Sequence, residues 1–446
     1  MIVMKFGGTS VQNADKINNA LNIAEKQLPM RGVVLVSSAM GKTTDRIIDA
    51  FTSAESGDLE KALAFMEDIK DLHFETARQF LTDANLQEAT VNLDRLFGQF
   101  ASLLKGVVLL RDCTPRTKDA FLSFGERLST LLISLRAKER GINVQLLDSR
   151  KFMITDDNFG SAAIDFKTTN GKIESAIKKG REKLYVAQGF ISANKNGVTT
   201  TLGRGGSDYS ASIIGAALDA QDIQIWTDVD GIMSSDPRSV NGVKTIPSVT
   251  YREAGELAYF GAKVVHPATI QPAVGKEIPV RVLNSGNPEG KGTTISSDAP
   301  VNGLKAIANK KGITLINIES TRMLNAYGFL NRIFSVFDKY GTSVDLVTTS
   351  EVSVSLTIED ISRLREIKEE LKPIGHVHVE ENKSIVCLVG QELWKDGGFL
   401  SRVFKTCEGV PLRMISLGSS DINLSLVVPF EKTDELVQKL HDQFLS

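Results

Sequence analysis

Cysteine is scarce. Three residues, Cys113, Cys387 and Cys407, are scattered through 446 positions, without an even disulfide framework or the paired spacing of a zinc site. A reducing, cytoplasmic setting is the expectation. Long apolar runs are missing as well: no uninterrupted stretch approaches the roughly 18 residues of a membrane span, and the opening "MIVMKFGGTS" enters a strand-like run with no charged n-region, apolar h-region or cleavage site. Neither membrane insertion nor secretion is expected. Charge of one sign is absent too, since 52 Lys and Arg face 54 Asp and Glu for a formal net charge of −2, and no basic run marks a nucleic-acid partner. His376 and His378 share one strand face without Cys or acidic ligands at metal spacing, so no metal site is assigned. Two nucleotide fingerprints are also lacking. There is no Walker P-loop, and "GRGGSD" has Asp208 where the last glycine of the dinucleotide pattern should stand.

What the chain does have is length, a hydrophobic content of 42 % and 36 glycines, enough for two to four domains with substantial cores. Up to about residue 295, short apolar runs such as "IVMKF", "GVVLVSSA", "KLYVAQGF", "IQIWTDV" and "IPVRVLN" alternate with amphipathic helical segments. That alternation predicts an α/β fold with a mostly parallel sheet. Residues 50–110 lack strand signals and read as a helical excursion. Glycine, proline, serine and asparagine collect in "NSGNPEGKGTTISSDAPVNG" (284–303), which predicts a domain boundary or linker.

Beyond it the chain repeats itself. The stretch from Gly328 aligns without a gap to the stretch from Gly398, an offset of 70 positions, with Phe329, Leu330, Arg332 and Phe334 recurring as Phe399, Leu400, Arg402 and Phe404. Each copy reads as strand, glycine turn, helix and two strands, the start of a ferredoxin-like βαββαβ module. The strand-like "GLKAIANKKG" precedes the first complete copy and is expected to belong to the second, with the first inserted into it.

Several residues stand where chemistry would use them. Lys5, at the end of the first strand, precedes Gly7 and Gly8, a placement that suits a polyphosphate at the carboxyl end of a parallel sheet, although a plain strand-to-helix turn reads equally well. "TLGRGGSDYSAS" (201–212) surrounds Arg204, whose planar fork matches a carboxylate or phosphate, with bare backbone before a helix. Ser207 or Asp208 could cap that helix. Glu126 in "FGERLS" is expected at a glycine-preceded helix start, there to complement the macrodipole or meet an ammonium. Thr227, Asp228 and Asp230 end a buried-type strand, where they could bind ribose or a base edge, while Arg238 and Lys263 could face phosphates. Trp226 reads as core, and His266 as a loop or core residue.

Taken in order, "KFGGTSV", "FGERLS", "TTTLGRGGSDYSA", "WTDVDGI", "DPR" and "FGAKVVHPATI" resemble the aspartokinases of the amino acid kinase superfamily, and "VDLVTTSEVSVSLT" is similar to their regulatory ACT domain. The likeness covers nearly the whole chain and is greatest to the monofunctional, lysine-sensitive type, the chain ending too early for a fused homoserine dehydrogenase. It implies an amino acid kinase fold over 1–295, a first ACT domain at 312–380 and a second built from 304–311 plus 383–446. It implies phosphorylation of the β-carboxylate of L-aspartate by ATP, with Mg²⁺ accompanying the nucleotide. By resemblance Lys5 and Asp208 are catalytic, while Thr43, Glu126, Phe190, Arg204, Gly205, Gly206 and Ser207 bind aspartate. Lys5, Phe6, Gly7, Gly8, Thr227, Asp228, Met233, Arg238, Lys263 and Val264 bind ATP, Met233 standing where many relatives carry tyrosine. Met323, Ala326, Gly328, Phe329, Leu330, Val344, Asp345, Ser350 and Glu351 form the effector site, for lysine or alternatively threonine, in a homodimer joined through ACT domains, with a tetramer as the larger assembly. The competing readings are a kinase of the same fold for another acid or phosphate acceptor, such as acetylglutamate, glutamate or UMP, and a catalytically dead amino acid sensor.

Overall fold

A computed structural model describes every residue except 178–182, 262–264, 301–302, 324–326 and 419. The chain divides into two compact units, Met1–Gly231 with Val264–Ala299, and Ile232–Lys263 with Pro300–Ser446.

In the first unit the sheet runs, in spatial order, Val144–Leu146, Leu184–Gln188, Val33–Ser37, Ile2–Phe6, Ile223–Thr227, Val280–Asn284 and Thr293–Ile295. Every neighbouring pair is parallel except the last. Val33–Ser37 and Leu184–Gln188 are buried at every position, because helices cover both faces of such a sheet and leave no polar side to alternate with. Thr293–Ile295 lies inside the stretch expected to be a linker. It folds back as an antiparallel strand on Val280–Val282, so only part of that polar segment is a connection.

The helical excursion is three helices, Thr43–Glu55, Leu59–Phe80 and Asp83–Leu110, followed by Pro115–Glu139. Capping punctuates them: Asp58 accepts a hydrogen bond from the Lys61 amide at 2.9 Å, and Thr114 accepts from the Thr117 amide ahead of a proline in the first turn. Their apolar stripes share one core with Ile2, Met4 and Phe6 of the central strand. A small sheet of Ile154–Thr155, Ile191–Asn194 and Thr199–Thr201 lies apart from the main one, its strands too short to show periodicity in sequence.

The second unit carries an antiparallel six-stranded sheet in the order Val344–Thr349, Ser353–Ile358, Leu304–Glu319, His376–Gly390, Asn423–Pro429 and Met414–Leu417. Its two central strands are long and shared. Leu304–Lys311 pairs with Ser384–Gly390, and beyond a register shift Leu315–Glu319 pairs with His376–Glu380. Two cores result, one around Phe329, Ile333, Phe337 and Ile367, the other around Phe399, Val403, Leu426 and Leu436. In the helix Phe329–Lys339 the buried residues are Phe329, Ile333, Val336 and Phe337, the spacing of one face. The fold is thus a mostly parallel α/β sheet followed by two ferredoxin-like halves that share one antiparallel sheet. The segment Ile232–Lys263 packs with this second unit: Val240 enters its second core, and Glu253 pairs with Lys305 at 3.2 Å, both side chains buried.

Candidate active site

The central strand Ile2–Phe6 hydrogen-bonds to Val33–Ser37 on one side and Ile223–Thr227 on the other. Chain progression reverses between it and Ile223–Thr227, which makes the carboxyl end of this strand pair the switch point where open α/β sheets bind ligands. Lys5 projects there. Its Nζ lies 2.7 Å from Asp208 Oδ1, with both side chains 12 % exposed. Asp208 stands in the first turn of the helix Gly206–Ala217, which begins at Gly205 (φ +71°) without a side-chain cap. The expected capping by Ser207 or Asp208 is therefore not made: the Asp208 carboxylate is drawn to the lysine, and Ser207 Oγ accepts from Ser38 Oγ at 3.0 Å.

These groups line a cavity of about 360 Å³ together with Gly8, Gly41, Thr44, Glu126, Phe190, Gly203 and Gly205. Phe190 takes a positive φ of 66° and lies against the helix start. A Cβ on Gly206 would come within 2.7 Å of its ring, so only glycine lets the helix approach this closely. Arg204 is exposed on the loop between Gly203 and Gly205 and is not among the cavity-lining residues.

Glu126 differs from expectation. It sits in the interior of the helix Pro115–Glu139 rather than at a helix start, and it is buried. The preceding glycine serves packing, because a Cβ on Gly125 would stand 2.7 Å from the Ala39 Cβ. Glu126 Oε1 accepts a hydrogen bond from the Ala39 amide at 3.3 Å, while Oε2 has no partner in the protein. Burial pushes its carboxyl up to about 8, since a carboxylate loses its hydration there. A buried acid with one free oxygen facing a cavity is suited to an incoming cation.

The ATP-side expectations divide between the two units. Thr227 ends its strand with its hydroxyl 3.2 Å from Asp228 Oδ1, and its carbonyl accepts from Ser285. The Gly7 amide is committed to the Trp226 carbonyl at 3.1 Å, and Phe6 is buried and stacks on Trp226. Met233 and Arg238 belong to the second unit. The Met233 sulfur accepts from the Thr245 hydroxyl, and the Arg238 guanidinium is exposed and forked onto Asp236 at 2.7 and 3.0 Å. Lys263 and Val264 lie outside the described residues. Thr43 is buried, its hydroxyl without a partner in the protein, and it is Thr44 that lines the cavity.

Two supporting residues had escaped notice. Ser38 follows a buried strand at its carboxyl end, a position whose hydroxyl could have been nominated by the same rule that picked Lys5. Asp119 is a buried acid immediately before the apolar helical run "AFLSF". Its carboxylate accepts from the amides of Gly160 and Thr201, each at 2.9 Å, and from the Thr201 hydroxyl at 2.8 Å. Asp119 thereby tethers the strand that leads into Gly203 and Arg204.

The model of the amino acid kinase family matches residues 1–284, and that of the ACT domain matches residues 386–444. The lysine-sensitive aspartokinase 3 of Escherichia coli is 37 % identical across 100 % of this chain and 99 % of its own length. The chain belongs to the aspartokinase family. The chloroplastic aspartokinase 2 of Arabidopsis thaliana is also 37 % identical, over 100 % of this chain and 84 % of its own. Among solved structures, E. coli aspartokinase III in complex with aspartate and ADP (R-state) superposes with a TM-score of 0.85 at 35 % identity, and the same enzyme with lysine and aspartate (T-state) at 0.79 and 34 %, each covering 100 % of both chains.

In this aspartokinase the nominated effector residues fall at two ends of one helix and strand. Gly328 (φ +72°) opens the helix Phe329–Lys339, with half-buried Met323 before it, buried Phe329 and exposed Leu330 after it. Exposed Ser350 and Glu351 follow the strand Val344–Thr349, and Ser350 Oγ meets Ser353 Oγ at 2.7 Å. Val344 and Asp345 begin that strand, five residues or roughly 16 Å from Ser350 at about 3.3 Å per residue. Asp345 is only 3 % exposed and pairs with Lys310 Nζ at 2.9 Å. Ala326 lies outside the described residues.

Among the described residues no helix is long and apolar enough to cross a membrane.

Proposed function

We propose that the chain transfers the γ-phosphoryl group of ATP to the β-carboxylate of L-aspartate, giving 4-phospho-L-aspartate and ADP. The observation that carries this reading is the Lys5–Asp208 pair and the buried Glu126 on the walls of one small cavity. The attacking carboxylate is already ionised at neutral pH, with a reference value near 3.9, so the site needs no general base. It needs charge management. Lys5 meets the transferring phosphoryl oxygens, and Asp208 holds its ammonium in place; their attraction strengthens as negative charge spreads over those oxygens. Glu126 takes the substrate α-ammonium, and Arg204, on its glycine-flanked loop, takes a carboxylate. Thr43, Phe190 and the backbone from Gly205 to Ser207 complete the aspartate pocket. Phe6, Gly7, Gly8, Thr227, Asp228, Met233, Arg238, Lys263 and Val264 serve the nucleotide.

Mg²⁺ enters with the nucleotide. Among the described residues no cluster of three His, Cys, Asp or Glu side chains would cage an ion unaided, which fits a metal that keeps most of its bonds to phosphate and water and neutralises charge there. The domains run as 1–295 for the kinase, 312–380 for the first ACT domain and 304–311 plus 383–446 for the second. The first ACT copy binds lysine, the amino acid with which the T-state E. coli relative forms a complex, with Asp345 receiving an effector ammonium and a homodimer formed through ACT domains. The setting is cytoplasmic. A hydroxylamine trap for acyl phosphate, run with ATP and a panel of acidic amino acids, with and without lysine or threonine, tests the assignment. Turnover of glutamate or acetylglutamate in preference to aspartate would overturn it.

A further inference from the structure

A charged cluster outside the kinase cavity ties the inserted segment to the first ACT copy. Tyr259 is the last residue of the helix Tyr251–Tyr259, and its hydroxyl donates to Asp345 Oδ1. Lys310 lies on the shared central strand, one residue before the register shift that follows Lys311. Its ammonium reaches both Asp345 Oδ1 and Glu359 Oε2 at 2.9 Å and sits 4.8 Å from the centre of the Tyr259 ring. Three groups thus share one bridging site, but unequally: Asp345 is 3 % exposed, whereas Glu359 is 66 % exposed. The second oxygen of Asp345 is buried and has no partner in the protein. A buried carboxylate with one unused oxygen is under-satisfied, and a further cationic donor there would be welcome.

We propose that Lys310 is an internal stand-in for the effector's ammonium, and that Tyr259 carries the consequence of its displacement toward the kinase segment. This rests on the reading that Asp345 receives the effector. When lysine brings its ammonium to Asp345, Lys310 keeps Glu359 as a solvent-exposed partner, so it can leave without stranding a buried charge. The carboxylate then reorients, and the Tyr259 hydroxyl loses its acceptor. Tyr259 ends its helix shortly before the chain returns to the first unit, so loosening that helix end acts on the connection toward the kinase cavity's unit. Two states of one carboxylate, bound to an internal or an external ammonium, provide the differential contact that any effector must have to shift an equilibrium.

The competition has an unusual signature: deleting Lys310 should sharpen inhibition rather than abolish it. In the full-length chain, Lys310→Met and Lys310→Gln should bind L-lysine about 3- to 10-fold more tightly by calorimetry, the gain from removing one modest ion-pair competitor. Tyr259→Phe, which lacks the hydrogen bond to Asp345 with or without lysine, should bind lysine at least as well as wild type. Its lysine-free activity should be lower, and lysine should reduce it by a smaller fold; wild-type activity and wild-type inhibition in this variant would remove Tyr259 from the coupling. Asp345→Asn should lose calorimetric binding. If Asp345→Asn loses binding while both folded Lys310 variants bind lysine as wild type or more weakly, the stand-in role is refuted and the effector site survives. If Asp345→Asn binds lysine normally, the effector reading itself fails and this inference with it.

Discussion

Aspartate binding should release a proton, and Glu126 is the reason. Its carboxyl is held at about 8 by burial, so near pH 7 roughly nine-tenths of the empty protein carries it protonated. An α-ammonium brought against it favours the carboxylate, so each binding event at pH 7 expels close to one proton. Below pH 8 the Kd for aspartate should fall about tenfold per pH unit as pH rises, then level off. Stability has the opposite slope. The folded value, about 8, lies above the reference value of 4.5, so between them the folded chain binds more protons than the unfolded one. The contribution of Glu126 is fully present below 4.5 and is lost as pH climbs through 8, on the order of 5 kcal/mol at about 1.4 kcal/mol per pH unit as an upper bound. Glu126→Gln, similar in shape and uncharged, should flatten both dependences and weaken aspartate binding. Calorimetry in two buffers of different ionisation enthalpy reads the proton directly, and urea midpoints between pH 5 and 9 read the stability. Equal binding enthalpies in the two buffers, or proton release that persists in Glu126→Gln, would refute the reasoning.

Other expectations follow from this cavity and the loop beside it. Lys5→Met and Asp208→Asn should each lower kcat by about 10²- to 10³-fold, with smaller effects on the KM values, because their interactions strengthen with charge in the transition state; near-wild-type kcat in folded variants would remove them from the chemistry. Arg204→Ala should raise the KM for aspartate by about 10- to 100-fold, the worth of a charge-assisted pair, and change the KM for ATP less; the reverse pattern would move Arg204 to the phosphate site. Gly206→Ala forces a Cβ to within 2.7 Å of the Phe190 ring and should cost about 1–3 kcal/mol in chemical denaturation while raising the KM for aspartate. Unchanged stability and KM would mean that the helix start yields more easily than its packing suggests.

The sequence announced the parallel sheet because strands buried on both faces read as unbroken apolar runs, and it announced the repeat because two copies kept register. It was less informative wherever the third dimension chose the partner. "FGERLS" reads locally as a helix start, and nothing within six residues reveals that Gly125 is mid-helix to let Ala39 approach. Asp208 looked like a cap because caps are local, whereas its partner Lys5 is two hundred positions away. The inserted segment is the deepest case. Val240, Glu253 and Tyr259 carry no mark that their contacts lie with Ile307, Lys305 and Asp345 rather than with the kinase sheet on either side of them in sequence.

The two ACT copies share a fold, and they differ in a few atoms that bear on the proposed effector role. Their helices start differently: Gly328 leaves the first turn of one without a side-chain cap, while the Asp396 carboxylate accepts from the Phe399 amide at 2.9 Å in the other. The first arrangement leaves backbone donors for an exogenous carboxylate, whereas the second has already used one. At the strand opposite, Asp345 corresponds to Ile415, which is 41 % exposed and offers an ammonium nothing. Nearby Arg413 is turned onto Glu380, with Lys383 on the same carboxylate. The second copy thus offers no carboxylate where the first has Asp345, and its nearby cation Arg413 is spent on Glu380. A zwitterionic ligand needs an unspent carboxylate oxygen for its ammonium, and Asp345 Oδ2 of the first copy is one. On the proposed reading, regulation belongs to the copy whose carboxylate is bridged to a lysine that has another partner to go to.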